Sequence, residues 1–211
     1  MAQRRDFAHA KAALRVSLDV NVWIAHLLAI QHGRRGAASA LVDIVREMAC
    51  ESGPVQLVMS WEMIATLENV LTRLGFDEPG ISDFTSGLIQ IMKTGPELFE
   101  PHLLPEGGRN LAMRDLDDAG VLASSIAARV DLLVTNDLDD FAVKGSERVS
   151  TREIIRPGQP AKQISALIYE RNDGVSIVIA HPLDALDWLR QGLRPTAEAI
   201  RKWSASRSST P

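Results

Sequence analysis

Cysteine is nearly missing: Cys50 stands alone in 211 residues, which excludes an internal disulfide framework and any multi-cysteine zinc site and fits a reducing cytoplasm. The lone residue reads as a small buried apolar side chain. No uninterrupted apolar stretch approaches the ~20 residues that a membrane-spanning helix needs, so no membrane contact is expected. The opening run MAQRRDFAHAKAALRVSLDV is charged and has no apolar segment ahead of a small-residue cleavage site, so it is not read as a secretory signal. A positive charge balance is lacking too. Lys and Arg number 23 against 27 Asp and Glu, a formal net charge of -4, so any contact with nucleic acid must come from local basic patches or bound cations. Aromatics make up only 5%, and Trp23, Trp61, Trp188 and Trp203 fit helical core or interface positions better than base-stacking platforms. The histidines, His9, His26, His32, His102 and His181, show no paired metal-ligand spacing and read as surface or loop residues. What is present is ordinary for a soluble globular chain, 45% hydrophobic and 24% charged, with a length that fits one main core plus an appendage.

The local pattern alternates. Leu14 to Leu18 is a short apolar run ending at Asp19, and Val20, Trp23, Ile24, Leu27 and Leu28 follow at helical spacing. A second helical stripe lies between Gly36 and Cys50, Gly53-Pro54 breaks it, and Val55 to Met59 reads as a strand. Ser60 is a suitable N-cap for a helix that Gly75 closes. A further helix is predicted from Pro79 to Lys93, then a Pro/Gly-rich loop through Gly108. Asp118 opens an apolar helix, Leu132 to Thr135 forms a buried strand stopped by Asn136-Asp137, and Val149-Ser150 forms a last short strand. Such alternation predicts a three-layer α/β/α fold with a central parallel sheet. We assign residues 1–13 to a lead, 14–155 to the main domain, 156–203 to a helical C-terminal extension that packs on the core or on a second subunit, and 204–211 to a disordered tail.

Three aspartates stand where this pattern puts a strand's carboxyl end or the helix turn beside it. Asp19 ends the first strand, Asp137 follows Leu132–Thr135, and Asp118 opens the helix between. In open α/β sheets these places converge on one edge. Carboxylates packed there would repel or protonate unless a cation neutralised them, and magnesium or manganese, hard ions with oxygen ligands, suit both that task and attack on a phosphodiester. Each aspartate also has a structural explanation: Asp19 and Asp118 are good helix N-caps, and Asp137 suits a turn.

Order and spacing carry a resemblance. Ser17-Leu18-Asp19-Val20-Asn21-Val22 looks like the opening strand of PIN domains. Asp115-Leu-Asp-Asp118 with the apolar helix after it looks like their central acidic motif, and Val134-Thr135-Asn136-Asp137-Leu-Asp-Asp140-Phe141 looks like their closing motif. The likeness spans about Leu14 to Ile155 and resembles the VapC-like toxins most. It implies a Mg2+- or Mn2+-dependent ribonuclease with Asp19, Asp118 and Asp137 as metal ligands, a homodimer in the cytoplasm, and a small antitoxin as partner. One departure stands out: Thr66 occupies the place of the family's helical glutamate. Glu62, one turn earlier on the same face, is the better substitute, and Glu68 is rotated away; a solvent-facing first-turn glutamate that suits the helix dipole explains Glu62 equally. Asp140 reads as a supporting residue or a cap, Asp117 and Asp139 as solvated neighbours, Thr135 as a hydroxyl donor to a carboxylate, and Asn21 as an anchor of the turn after Asp19.

For RNA contact the candidates are Arg34-Arg35, Arg109 with Arg114, and a C-terminal basic region of Arg190, Arg194, Arg201 and Lys202. Solvated loop or helix charges explain them too. The alternative functions are a catalytically silent PIN fold that binds RNA or protein, which Thr66 supports, and a phosphatase, against which the Asp19-Val-Asn21 run lacks an Asp-x-Asp nucleophile motif.

Overall fold

The computed structural model describes residues 12–102, 116–154 and 162–208. His9, Arg109, Arg114, Asp115, the side chain of Asp117 and the Pro157–Pro160 linker lie outside them. The elements run β1 (Leu14–Leu18), α1 (Val20–Gln31), α2 (Ala37–Glu47), β2 (Ala49–Cys50), β3 (Gly53–Leu57), α3 (Trp61–Arg73), α4 (Glu78–Thr94), α5 (Leu116–Ala127), β4 (Leu132–Val134), β5 (Ser146–Ile154), β6 (Lys162–Glu170), β7 (Ser176–Ala180), α6 (Pro182–Arg190) and α7 (Ala197–Ser208). No helix among the described residues is long and apolar enough to cross a membrane.

One seven-stranded mixed sheet holds the order β2-β3-β1-β4-β7-β6-β5. Its centre, β3-β1-β4-β7, is parallel: a parallel pair needs a long crossover, which α1 and α2 supply between β1 and β3, whereas β4 reaches β7 by way of β5 and β6. Helices cover both faces, so β1 and β4 are apolar nearly throughout: Leu14, Val16, Leu18 and Leu132 to Val134 are all buried. This is an α/β/α arrangement of the expected kind, with antiparallel margins added by β2, β6 and β5.

The C-terminal third departs from the sequence reading. It is not wholly helical: ahead of α6 and α7, β6 and β7 enter the main sheet, and Leu167, Ile179, Trp188 and Ile200 belong to the same apolar cluster as Val16 and Leu18. Short apolar runs such as VSIVIA cannot be told from buried helix by periodicity, and only pairing against β4 decides them. The edge strand β5 is nine residues long, far longer than Val149-Ser150. The supposed tail is helical through Ser208. Trp203 packs edge-to-face on Trp188 at 5.7 Å, and the Ser204 hydroxyl donates to the Ser150 carbonyl at 2.8 Å. Cys50 is half-buried rather than buried, its Sγ 3.0 Å from the Ser52 hydroxyl.

The C-terminal basic residues are also redirected. Arg201 pairs with Glu147 and Glu170, Arg194 with Asp131 and the Ala13 carbonyl, and Lys202 with Glu198. The Arg201 pairs tie α7 to β5 and β6, whereas the Lys202–Glu198 pair lies within α7.

His26 is buried in α1, not on the surface, and its Nδ1 lacks a hydrogen-bond partner. Burial holds its pKa below the usual histidine range, with Asp43 opposing and Arg46 and Arg35 adding to the effect. The unfolded chain therefore takes up this proton more readily, so stability falls as pH drops below the unfolded value of about 6.5 toward the folded one. We expect thermal scans between about pH 7.5 and 5.5 to show a steeper loss of Tm for the wild type than for His26→Leu. Equal slopes would mean that the imidazole is solvated in solution.

Candidate metal centre at the parallel strand tips

Register brings three chain segments to one edge. Leu18 pairs with Val134, and the Asp19 amide donates to the Val134 carbonyl at 2.9 Å, so Asp19 and Thr135 are neighbours just past the ends of β1 and β4. On the other side Val16 pairs with Leu57, and the Val58 amide donates to the Val16 carbonyl. Carried forward, that register sets Ser60 level with Asp19. Helix α5 ends shortly before β4 begins. Its first turn carries Asp118. The carboxyl edge of the parallel strands is where open α/β sheets bind ligands.

The Thr135 hydroxyl is the hub of the site. Fully buried, it donates to Asp19 Oδ2 at 2.8 Å and accepts from Asn21 Nδ2 and from the Asp137 amide, both at 3.0 Å. Asn21 Nδ2 also donates to Asp19 Oδ2 at 2.7 Å, while Asn21 Oδ1 accepts from the Asn136 amide at 3.1 Å. Asp19 Oδ1 caps α1 by accepting from the Val20 amide at 2.7 Å. One carboxylate is thus clamped from both adjoining strand ends. Asn136 joins the clamp without having been assigned a role from the sequence; the Thr-Asn-Asp run was its only signal.

The electrostatics run against the ionised form of Asp19. The residue is only 5% exposed, and burial raises its pKa. The Thr135 and Val20 hydrogen bonds act in the opposite direction, and the charges of Asp137 and Asp140 raise it again. Those two acids are solvent-exposed at the rim. A buried carboxylate beside further carboxylates is a donor set of hard oxygens whose charge a divalent cation would compensate. In this respect the residues fit magnesium or manganese. They are not preassembled as a complete shell, however: no group of three or more His, Cys, Asp or Glu side chains among the described residues is arranged to hold an ion.

The other acids divide clearly. Asp118 is half-buried in the first turn of α5. Glu62 is exposed in the first turn of α3, and Thr66 is half-buried one turn on. Glu68 accepts from Thr85 of α4 at 2.8 Å, which turns it away from the edge. Asp139 pairs with Arg148 at 2.7 Å. Ser60 caps α3 through the Met63 amide at 3.2 Å. His102, read from the sequence as loop, bridges to Ser60 and sets its Nε2 3.3 Å from the Ser124 carbonyl of α5. His181 caps α6. Trp61 is 43% exposed, so of the core or interface positions expected for it the core is excluded.

The family model described as the PIN domain matches residues 15–139, and no curated protein matches the chain. PIN domains are typically nucleases and usually employ divalent metals. The matched span covers more than half of the 211 residues and contains β4, the clamped Asp19 and all of β1 but its first residue. This chain belongs to the PIN-domain family.

Proposed function

We propose that this PIN domain is a divalent-metal-dependent endoribonuclease that hydrolyses RNA phosphodiester bonds and serves as the toxin of a toxin-antitoxin pair. In this reading Asp19, Asp118 and Asp137 hold Mg2+ or Mn2+, with Asp140 supporting and Glu62 in place of the acid missing at Thr66. The ion, when bound, supplies charge neutralisation and acidifies water for attack on phosphate. The chain's own part is preorganisation. Thr135 and Asn21 fix Asp19 Oδ2 in one orientation, and Asn136 links the tips of β1 and β4 so that the acids keep their spacing. The single observation that carries the reading is the buried, clamped Asp19, whose ionisation its acidic neighbours oppose.

A second reading is a catalytically silent PIN fold that binds RNA or protein. Thr66 and the incomplete ligand grouping favour it. Cleavage separates the two. Labelled RNA is expected to be cut with manganese or magnesium, with loss of cleavage on adding chelator and in Asp118→Asn. Cleavage that survives both treatments would sink the metal-centre reading, and binding without cleavage would favour the silent fold. For the toxin role we propose a small antitoxin that suppresses cleavage when co-expressed, acting on a homodimer in the cytoplasm.

A further inference from the structure

Of the four tryptophans in the chain, three are absorbed by packing. Trp23 and Trp188 are fully buried, and Trp203 lies edge-to-face on Trp188. Trp61 is different. It is the first residue of α3, directly after the buried cap Ser60, and 43% of it is exposed. No ring among the described residues contacts it. Its backbone is nonetheless held firmly: the Trp61 amide donates to the His102 carbonyl at 3.1 Å, Ser60 forms a β-bridge with His102, and the His102 ring packs edge-to-face on Phe99 at 5.8 Å. With the backbone anchored, only the side-chain torsions of the exposed indole remain to be fixed when it meets a ligand.

Position and charge narrow down the occupant. β3 runs parallel to β1 and leads into α3, so the start of α3, with Trp61, lies at the carboxyl edge of the sheet where β1 ends at Asp19. Exposed carboxylates there, Asp137, Asp140 and Glu62, repel a phosphate backbone. Arg148, which reaches the same segment, is already paired with Asp139. Stacking on a nucleobase is attractive without any charge and works with every base. Resting on the ribonuclease reading, we propose that Trp61 is a substrate-binding residue that stacks on an unpaired base of the RNA and thereby selects single-stranded over duplex substrate.

The test compares wild type, Trp61→Ala and Trp61→Phe on a single-stranded RNA oligonucleotide and on its duplex, in manganese, with thermal scans to verify folding. Loss of one stacked base weakens binding roughly 5- to 150-fold. We expect KM for the single strand to rise by that factor in Trp61→Ala with kcat nearly unchanged, most of the loss to be recovered in Trp61→Phe, and duplex cleavage to be indifferent to both changes. RNA should also quench tryptophan fluorescence in the wild type and much less in Trp61→Ala. An unchanged KM, or an equal fall of kcat in both variants, overturns the stacking role. A change of oligomeric mass in Trp61→Ala without a change of KM assigns the ring to a contact between copies and also overturns it. If the wild type cuts no RNA, the nuclease reading fails by itself; quenching lost in Trp61→Ala then still supports stacking, and absence of quenching ends it.

Discussion

Asp19→Asn is expected to lower RNA cleavage by roughly 10²- to 10⁴-fold, because a metal centre supplies several kcal/mol of charge stabilisation at ~1.4 kcal/mol per decade. The same substitution should cost the fold no more than about 1 kcal/mol. Its reason lies in the sign of the Asp19 shift. Burial, and the charges of Asp137 and Asp140 after it, raise this pKa against the hydrogen bonds from Thr135 and Val20. A carboxyl whose folded pKa exceeds the unfolded ~3.9 binds its proton more tightly in the native state. Stability is therefore lost as pH rises through the window between the two values, and at neutral pH the ionised group works against folding. Asparagine removes that charge and still caps a helix well; the mismatch of its amide with donors from Thr135 and Asn21 takes back part of the gain. Manganese should raise the Tm of the wild type by mass action, and much less that of the variant. Retained cleavage, or a variant several degrees less stable than the wild type without metal, would refute this account.

Arg152 is the converse case, a charge the fold needs and the chemistry does not. Asp184 is wholly buried at the start of α6, where it accepts from Arg152 Nε and from the Thr151 hydroxyl, both at 2.5 Å. Arg152 also pairs with Asp187. Burial depresses the guanidinium pKa, but the bonds to Asp187 and Asp184 outweigh it and hold the pKa above its ordinary value. Arg152→Leu leaves the Asp184 carboxylate buried without its cation, a loss of about 3–5 kcal/mol. For a chain of this size that corresponds to a Tm lower by roughly 6–20 °C. The double variant Arg152→Leu with Asp184→Leu should regain most of this, since replacing a buried ion pair with apolar groups is often neutral. Calorimetry reads both, and cleavage per folded molecule should stay at the wild-type level. A loss under about 1 kcal/mol in the single variant would show that water reaches the pair.

What the linear chain determined by itself was local. A buried apolar strand stopping at Asp19, a serine capping α3, and the Thr135-Asn136-Asp137 turn are each written in neighbouring residues, because caps, turns and periodicity depend on a few consecutive side chains. From these the α/β/α class, and the edge where Asp19 and Thr135 meet, could be read.

Pairing and burial were decided only in three dimensions. KQISALIYE and VSIVIA became sheet strands because β4 offered VSIVIA a parallel partner and β6 then paired with it. Two of the arginines that looked free for RNA, Arg201 and Arg194, were consumed by Glu147, Glu170 and Asp131. The Thr135 hydroxyl became a hub only when Asn21, 114 residues away, came within reach. The depth of Asp19 and the exposure of Trp61 follow from which elements pack over them. Electrostatics and solvation sum over neighbours in space, and no spacing along the chain encodes that sum.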